Sequence, residues 1–200
     1  MANRIAGVTD KLIQCATDEF LLHGFQDASL RTIAEKAGTS TKSIYIRFKD
    51  KQGLFEAIID GAITNFKDLY ISSITDFEEN HSDVTYTEMF EYSDNYIDKM
   101  IDCIYDNYNA FRLLICYSDR GVCADFINSV AEIETEETRR FIDRMQGTEV
   151  SDELIHMLST AYTSGLFEIV RHEMSRSDAK KHSSQLKEFF RVGWTNIFGK

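Results

Sequence analysis

The sequence predicts an all-α protein, and three observations support this fold class. The chain has 200 residues and no proline, so no imide bond forces its helices to break. Apolar residues recur three and four positions apart over most of the length, whereas no segment sustains the alternation of a β-strand. Glycine, serine, asparagine and aspartate mark a few joints. The segments between these joints give about nine helices.

The first two helices have clear end signals. Apolar residues form one stripe from about Thr9 to His23, and Gly24 can stop this helix in the left-handed conformation. Ser29 can cap a second helix, which Gly38 ends in the same way. The predicted core of the N-terminal helices consists of Leu12, Ile13, Ala16, Phe20, Phe25, Leu30, Ile33, Ala34, Ile44 and Phe48.

The third helix follows a tight turn at Gly38 and Thr39. Ser40 can cap it, and Ile44 and Phe48, four positions apart, face inward. Its outward face carries small polar and basic side chains, namely Lys42, Ser43, Tyr45 and Arg47. Two helices joined by a glycine-containing turn are typical of a helix-turn-helix, which places its second helix in the major groove of DNA.

The fourth helix is predicted to begin at Asp50, which can cap it, and to end near residue 80. Lys51 and the unpaired amides of its first turn can bind a phosphate. Gly53 and Gly61 weaken the helix locally. Gly61 marks either a bend or a position where another helix crosses closely.

The remaining five helices are predicted from periodicity and joints. Two run from Tyr86 to Tyr117 with a break near Asn107 to Asn109, and others cover about 122–146, 151–175 and 178–198. Ser151 can cap the eighth helix. Its small residues Ala161 and Gly165 allow a neighbouring helix to approach. The ninth helix carries a heavy apolar stripe made of Leu186, Phe189, Phe190, Gly193, Trp194, Ile197 and Phe198.

Charge is divided unevenly along the chain. The formal net charge is −11, which taken whole disfavours nucleic acid as a partner. Residues 1–51, however, carry eight Lys and Arg against six Asp and Glu, which leaves −13 for the rest. Residues 29–51 alone carry six basic and two acidic side chains. The positive charge therefore lies on the helix-turn-helix.

Several classes of site are not indicated. No apolar run approaches the roughly 18 residues that span a bilayer, and the N-terminus lacks the apolar stretch of a signal peptide, so we expect a cytoplasmic protein with no membrane partner. Histidine and cysteine show no metal-ligand spacing, and we expect neither a metal nor a cofactor. The four cysteines are expected to be buried, reduced thiols, with a redox role for Cys116 and Cys123 as the alternative.

Residues 29–51 resemble the tetracycline-repressor (TetR) family of bacterial transcription regulators. Many fixed positions of that family's pattern recur in one register. They are Ile33-Ala34, Ala37-Gly38, Ser40, Ile44-Tyr45, Phe48, Lys49, Lys51 and Leu54. The motif covers about the first quarter of the chain. Beyond it, only the helical character and the length agree.

The resemblance implies a helix-turn-helix DNA-binding domain at 1–51 and a larger helical ligand-binding and dimerisation domain at 52–200. A homodimer would bind an inverted repeat in double-stranded DNA. The positions that match DNA-contacting ones are Arg31, Thr32, Ser40, Thr41, Lys42, Ser43, Tyr45, Arg47 and Lys51. Arg31 and the turn from Ser40 to Ser43 would lie nearest the base edges, whereas Tyr45, Arg47 and Lys51 would grip phosphates.

The resemblance also implies a four-helix dimer interface made by the last two helices, and a cavity among the middle helices for a small-molecule effector. The candidate ligand residues are Tyr96, Met100, Tyr108, Phe111, Tyr162, Phe167 and Glu168. Aromatic and methionine stripes at helical spacing belong to a core more often than to a pocket. A cationic ligand would gain from Glu168 if that carboxylate faced the cavity.

Two functions remain open from the sequence. The first is a ligand-responsive transcription regulator, most simply a repressor released by its effector. The alternative is a helical small-molecule carrier without sequence-specific DNA binding. An enzyme is not expected, because the sequence contains no nucleophile elbow, no metal-ligand set and no glycine-rich phosphate loop.

Overall fold

The computed structural model describes residues 2–80, 86–118, 120–144 and 150–198, with side chains for most of them. Within those ranges it contains nine α-helices and no strand, which confirms the all-α prediction. The helices are α1 (Ala2–Asp27), α2 (Leu30–Lys36), α3 (Thr41–Phe48), α4 (Lys51–Asn80), α5 (Tyr86–Asp106), α6 (Tyr108–Arg112), α7 (Arg120–Arg144), α8 (Asp152–Arg171) and α9 (Arg176–Phe198). A π-helical turn at Leu113–Tyr117 follows α6. The predicted end of the seventh helix, at 146, lies outside the described residues.

The chain packs as two compact units. One, here called the head unit, consists of Met1–Thr64 and Asn107–Cys123. The other, the body unit, consists of Asn65–Asp106 and Ala124–Lys200. The functional boundary that the sequence places after residue 51 stays a prediction, because packing groups residues without defining what each group does.

Helix α1 begins at Ala2, earlier than the predicted start at Thr9. Gly24 interrupts it with φ 73° and ψ 172°, a conformation that glycine adopts without a steric penalty. The predicted stop at Gly24 is therefore confirmed, although a last helical turn continues to Asp27.

Local hydrogen bonds fix both ends of α2. The Ser29 hydroxyl accepts the amide of Thr32 at 3.3 Å, as predicted for a cap. At the other end the amide of Gly38 donates to Glu35 O and that of Thr39 to Ala34 O, and Gly38 has φ 68°. This pair of bonds is a Schellman motif, which turns the chain directly into α3.

The exit from α3 is tighter than the sequence indicates. Lys49 has φ 69° and ψ −51°, and the amide of Asp50 donates to Phe48 O at 2.9 Å. These values define a γ-turn of the rare positive-φ kind, which is strained. Asp50 caps α4 as predicted, because its carboxylate accepts the amide of Gly53 at 2.8 Å. A Cβ on Gly53 would lie 2.0 Å from Phe48 O, so only glycine fits there.

The core of the head unit is largely the predicted one. The fully or nearly fully buried members are Leu12, Ala16, Phe20, Ile33, Ala34, Ile44 and Phe48, joined by Leu54, Phe55 and Ile59 from α4. Ile13, Phe25 and Leu30 are only partly buried. The rings of Phe20, Phe25 and Phe55 lie 5.2 to 5.9 Å apart and pack α4 against α1.

The body unit has its own aromatic core. The rings of Phe66, Phe126 and Phe167 lie 5.0 to 6.1 Å apart, joining α4, α7 and α8. Helix α8 ends at Arg171, earlier than predicted, because a second Schellman motif closes it. Its left-handed position is Glu173, with φ 48°.

Candidate nucleic-acid interface and body cavity

Helix α3 presents one face to the core and the other outward. Ile44 is fully buried and Phe48 is 9% exposed. Lys42 is exposed, and Tyr45 and Ile46 are 53% and 71% exposed. Within the described residues nothing covers this outer face, so it is open to a partner as wide as a DNA groove.

Ile46 is an exposed residue of α3 that the sequence reasoning did not include among the candidates. It lies off the inward stripe of Ile44 and Phe48, and an apolar side chain on the outer face of a recognition helix is the signal that could have revealed it. Such a side chain can contact the methyl group of thymine.

Arg31 lies on the exposed surface of α2. Its Nε donates to Glu35 Oε1 at 2.9 Å, and the pair is exposed on both sides. This hydrogen bond and the charge of Glu35 raise the pKa of Arg31. Exposed ion pairs are weak, so the guanidinium can exchange Glu35 for a base edge at little cost.

Arg47 is held within the head unit. Its Nε donates to Thr9 Oγ1 at 3.2 Å, and one terminal nitrogen donates to the carbonyl and hydroxyl oxygens of Ser43 at 3.2 and 2.6 Å. These bonds tie α3 to α1 and engage the hydroxyl of Ser43. Contact of either residue with DNA stays a prediction.

Lys51 joins the start of α4 to the end of α1. Its Nζ donates to Gln26 O at 2.8 Å and lies 5.2 Å from the centre of the Phe25 ring. A lysine at this position neutralises the carbonyl end of a helix. Lys51 therefore has a structural role, and the predicted contact with a phosphate would be a second role.

Thr32, Ser40 and Thr41 lie at the starts of the two helices. The amide of Thr32 is satisfied by the Ser29 cap. Ser40 occupies the N-cap position of α3, but its side chain makes no capping hydrogen bond, contrary to the sequence prediction. Its exposed hydroxyl remains near the N-terminus of α3, where base and phosphate contacts are made in helix-turn-helix proteins.

A buried ionic contact supports α2 from below. Glu19 of α1 is 2% exposed, and its carboxylate accepts Lys36 Nζ at 2.9 Å and the amide of Ser29 at 3.3 Å. Burial alone would raise the pKa of Glu19, but these hydrogen bonds, with the charges of Lys36 and His23, lower it. The signal in the sequence was a glutamate beside Phe20, within the apolar stripe.

Residues 12–58 match the family model described as bacterial regulatory proteins, tetR family. Over 75 residues the chain is 31% identical to the uncharacterized HTH-type transcriptional regulator YdgC of Bacillus subtilis (strain 168), a match that spans 38% of each protein.

Solved structures extend the similarity of fold to nearly the whole chain. The TetR family transcriptional regulator PfmR from Thermus thermophilus has a TM-score of 0.64 at 16% identity, covering 89% of this chain and 97% of that one. A transcriptional regulator (TerR/AcrR family) from Aquifex aeolicus VF5 also has a TM-score of 0.64 at 16% identity, with 92% and 98% covered.

The helix-turn-helix, its open second helix and these matches support a DNA-binding transcription regulator. The chain is thus similar to the TetR family of bacterial regulatory proteins over residues 12–58, and its fold resembles that of TetR-family structures over most of its length. The family relatives are regulators and not enzymes. No helix within the described residues is long and apolar enough to cross a membrane.

The body unit contains a cavity of about 220 Å³. Helices α4, α5, α7, α8 and α9 all contribute to its wall. Three of the candidate ligand residues, Tyr96, Met100 and Tyr162, line it.

The other four candidates lie elsewhere among the described residues. Tyr108 and Phe111 belong to the head unit, and Phe167 is fully buried in the aromatic core of the body unit. The Glu168 carboxylate accepts Arg171 at 2.5 Å and lies 3.5 Å from His172 Nε2, along one side of α8. The structure therefore brings three of the seven candidates together around the cavity.

The apolar stripe of α9 serves two surfaces. Trp194 and Ile197 pack against the buried cluster of Ile142, Val150 and Ile155. By contrast, Phe189 and Val192 are 75% and 48% exposed, as are Met157 and Leu154 of α8, at 65% and 39%. Gly165 of α8 lets Leu186 of α9 approach, since a Cβ there would lie 3.2 Å from the leucine.

The cysteines are not all buried, which corrects the sequence-based expectation. Cys123 is buried, Cys15 and Cys103 are intermediate, and Cys116 is exposed. Cys116 lies in the π-helical turn, whose wider winding changes which side chains face the core. None of the four forms a disulfide.

Proposed function

We propose that the protein is a cytoplasmic, homodimeric repressor that binds an inverted-repeat operator and is released by a small molecule held in the body cavity. The open face of α3 carries this proposal. This surface is polar and basic and lies on the second helix of a folded helix-turn-helix, where it suits DNA and is not needed by a carrier. The similarity to the TetR family supports the same conclusion.

The proposed contacts divide by chemistry. Arg31 and the residues from Ser40 to Ser43 would read base edges, Ile46 would contact thymine methyl groups, and Tyr45 would bind the phosphate backbone. Lys42 is exposed and basic, so it can serve either purpose.

The dimer would form through α8 and α9. Exposed apolar side chains on these helices include Phe189, Met157 and Val192. A two-fold symmetric contact would bury these residues in both protomers. The two heads would then meet successive major grooves of an inverted repeat, about 34 Å apart.

Effector binding would act by population shift. A ligand releases the operator only to the extent that it prefers a state whose head spacing does not fit the DNA. The cavity supports such a site, and it also favours the second candidate function, a carrier, which would bind its ligand without recognising DNA.

Selection of binding sites from random duplex DNA tests the proposal. Binding to the selected duplex and to a scrambled one is then measured at several salt concentrations. Arg31→Ala should weaken the selected duplex by about 1–3 kcal/mol, because a base contact is lost, and scarcely affect the scrambled one. If Lys42 binds a phosphate, Lys42→Ala should weaken both and lower the salt slope by roughly one.

Lys181→Ala is the matched control, since it removes an exposed lysine from α9. It should leave both affinities unchanged. Equal wild-type affinity for the selected and scrambled duplexes would refute the regulator and favour the carrier.

The dimer is tested by the mass of the protein in solution. Phe189→Glu should yield a folded monomer, because Phe189 is 75% exposed within the protomer and its loss leaves the protomer core intact. Ile71→Glu, a similar change at an exposed site of α4, should remain dimeric. A monomeric wild type at micromolar concentration would contradict the interface.

A further inference from the structure

Aromatic and aliphatic side chains form most of the wall of the body cavity. Tyr96, Tyr162, Phe190 and Trp194 all line it, and the rings of Tyr162 and Phe190 meet edge to face at 5.3 Å. The hydroxyl of Tyr96 is engaged by Asp76 at 2.8 Å, so its ring is the part available to the cavity. Such walls favour a compact aromatic or aliphatic body and also attract a cation.

The arginines at the cavity already have acidic partners. Arg140 lies 2.7 Å from Glu137 and 3.6 Å from Glu136. Arg191 donates to Glu188 at 2.6 Å. An anionic ligand would have to take these cations from their carboxylates.

Glu134 is the exception. It lines the cavity from α7, and among the described residues its carboxylate makes neither a hydrogen bond nor an ion pair. Burial raises the pKa of Glu134 to about 7, the charge of Glu137 adds to this effect, and Lys187 opposes it. Glu134 is partly buried, and the charge of Lys187 does not bring the pKa of its carboxyl back to the ordinary range, so the carboxylate can still gain from a bound cation.

A second polar group lacks a partner on α8. Ser159 is 2% exposed and lines the same cavity, yet its hydroxyl makes no hydrogen bond within the described residues. Buried hydroxyls are nearly always bonded, so this one points to a ligand or a bound water. Glu134 and Ser159 thus offer acceptors on two different helices.

We infer that the effector is a compact, mainly apolar molecule with one protonated amine, held by Glu134 and assisted by the Ser159 hydroxyl. This inference rests on the proposed ligand response and specifies its chemistry. The amine would supply the charge and the donors that the carboxylate lacks, while the aromatic walls would take the apolar body.

The groups around Glu134 make a cation the better match. The other titratable groups that line the cavity are Glu137 and Arg140 of α7, Lys187 and Arg191 of α9, and the tyrosines Tyr70, Tyr96 and Tyr162 of α4, α5 and α8. A carboxylate ligand would be repelled by Glu134, which makes no ion pair within the described residues. A cation meets two arginines whose charges are balanced by ion pairs, and Lys187, whose charge does not outweigh the effects that raise the pKa of Glu134.

Three probes of one shape test the inference, namely phenylbutylamine, phenylbutanol and phenylbutyrate. Trp194 lines the cavity and is the single tryptophan of the chain, so its fluorescence reports binding directly, without DNA. At about pH 8 the amine should bind roughly tenfold or more tighter than the alcohol, as expected for a charge-assisted hydrogen bond, and the carboxylate weakest.

Glu134→Gln should reduce the preference for the amine over the alcohol to within about threefold, because the charge is lost while the shape is kept. Glu132→Gln is the matched control: it removes an exposed carboxylate from the same helix and should keep the preference. Ser159→Ala should weaken the amine several-fold and leave the preferred charge unchanged. Circular dichroism checks that each variant is folded.

The pH dependence gives a measurement on the wild type alone. The carboxylate must lose its proton to bind the amine, so amine affinity should fall by up to about tenfold per unit as pH drops below about 7. Affinity for the alcohol should change little over the same range.

Tighter binding of the carboxylate, an amine preference that survives Glu134→Gln, or no amine binding at millimolar concentration would each overturn the inference. Failure of the proposed ligand response is separate. If the amine binds through Glu134 but does not change operator affinity, the cavity chemistry stands and the ligand response fails. If phenylbutyrate alone releases the operator, the proposed ligand response is correct and the inference of an amine effector is wrong.

Discussion

The head unit and the body unit each contain one glutamate whose pKa is shifted by its surroundings, and the two shifts have opposite directions. Glu19 in the head accepts hydrogen bonds from Lys36 and from the amide of Ser29, and its pKa is lowered. Glu134 in the body has no such partner among the described residues, and its pKa is raised to about 7. One carboxylate stabilises the fold as an ion, whereas the other destabilises it.

This difference agrees with the functions that we propose for the two units. A surface that reads DNA has to keep its shape before DNA arrives, and the internal hydrogen bonds of Glu19 help the head to do so. A cavity that binds a ligand gains affinity from groups that the empty protein leaves unpaired. We therefore expect the head to be sensitive to changes in backbone geometry and the body to be sensitive to changes in charge.

The largest effect should come from Gly53→Ala in the head. The new Cβ would lie 2.0 Å from Phe48 O, so the γ-turn between α3 and α4 must shift. We expect a loss of about 3 kcal/mol or more in the free energy of unfolding, together with loss of operator binding. Urea denaturation and a DNA binding assay measure both.

Gly61→Ala is the control for this change. Nothing lies within 4 Å of a Cβ at that position, so close helix crossing at Gly61 is excluded for the described residues. Alanine should stabilise α4 there by up to about 1 kcal/mol. Equal effects of the two substitutions would show that helix propensity, and not the turn, decides the outcome.

Glu134→Gln should alter the pH dependence of stability. The folded pKa of about 7 exceeds the ordinary 4.5, so between these values the native state binds more protons than the unfolded state. Ionisation then destabilises the wild type as pH rises, by about 3 kcal/mol at most. The variant should lack this loss.

The difference in unfolding free energy between wild type and variant, measured at about pH 5 and about pH 8, isolates this residue from the histidines. A variant that gains nothing at the higher pH would show that Glu134 is solvated or paired in solution.

Glu19→Gln should have the opposite sign and a smaller size. The pKa of Glu19 is lowered, so its stabilisation is present above the ordinary value of 4.5 and is lost as pH falls through the folded value. Replacing the charge should cost about 2 kcal/mol at neutral pH. Below about pH 4 the unfolding free energies of the wild type and the variant should converge. A difference that stays constant down to acid pH would show that packing, and not charge, causes the effect.

The head was predicted in detail from the sequence because its geometry is local. The caps at Ser29 and Asp50 and the stop at Gly38 involve partners within five positions, and such signals are written in the residue types. Where partners are distant, prediction failed. The hydrogen bond from Arg47 to Thr9 spans 38 positions, and nothing in either segment announces it.

The body was predicted less well for the same reason. The wall of the cavity depends on which faces of five helices converge. A small error in the predicted rotation of one helix about its axis therefore places a residue on the wrong side of the wall. Glu134 lines the cavity while Glu168 pairs along α8, although both are glutamates on amphipathic helices. Periodicity finds the apolar face of a helix, but it does not tell a packed face from one beside an open space.

The smallest effect should come from the ends of α2 and α8, which share the Schellman geometry with different residues. Gly38 has φ 68° and Glu173 has φ 48° at the equivalent position. A residue with a side chain pays about 1 kcal/mol to adopt the left-handed conformation. Part of this cost is offset, because a non-glycine residue loses less backbone entropy on folding than glycine does. Glu173→Gly should therefore stabilise the body by about 0.5 kcal/mol, whereas Gly38→Ala should destabilise the head by about 1 kcal/mol. Both changes in unfolding free energy are obtained from the midpoints of urea denaturation, provided that the dependence on urea concentration is unchanged. If Glu173→Gly is destabilised instead, contacts of the glutamate side chain outweigh its backbone strain.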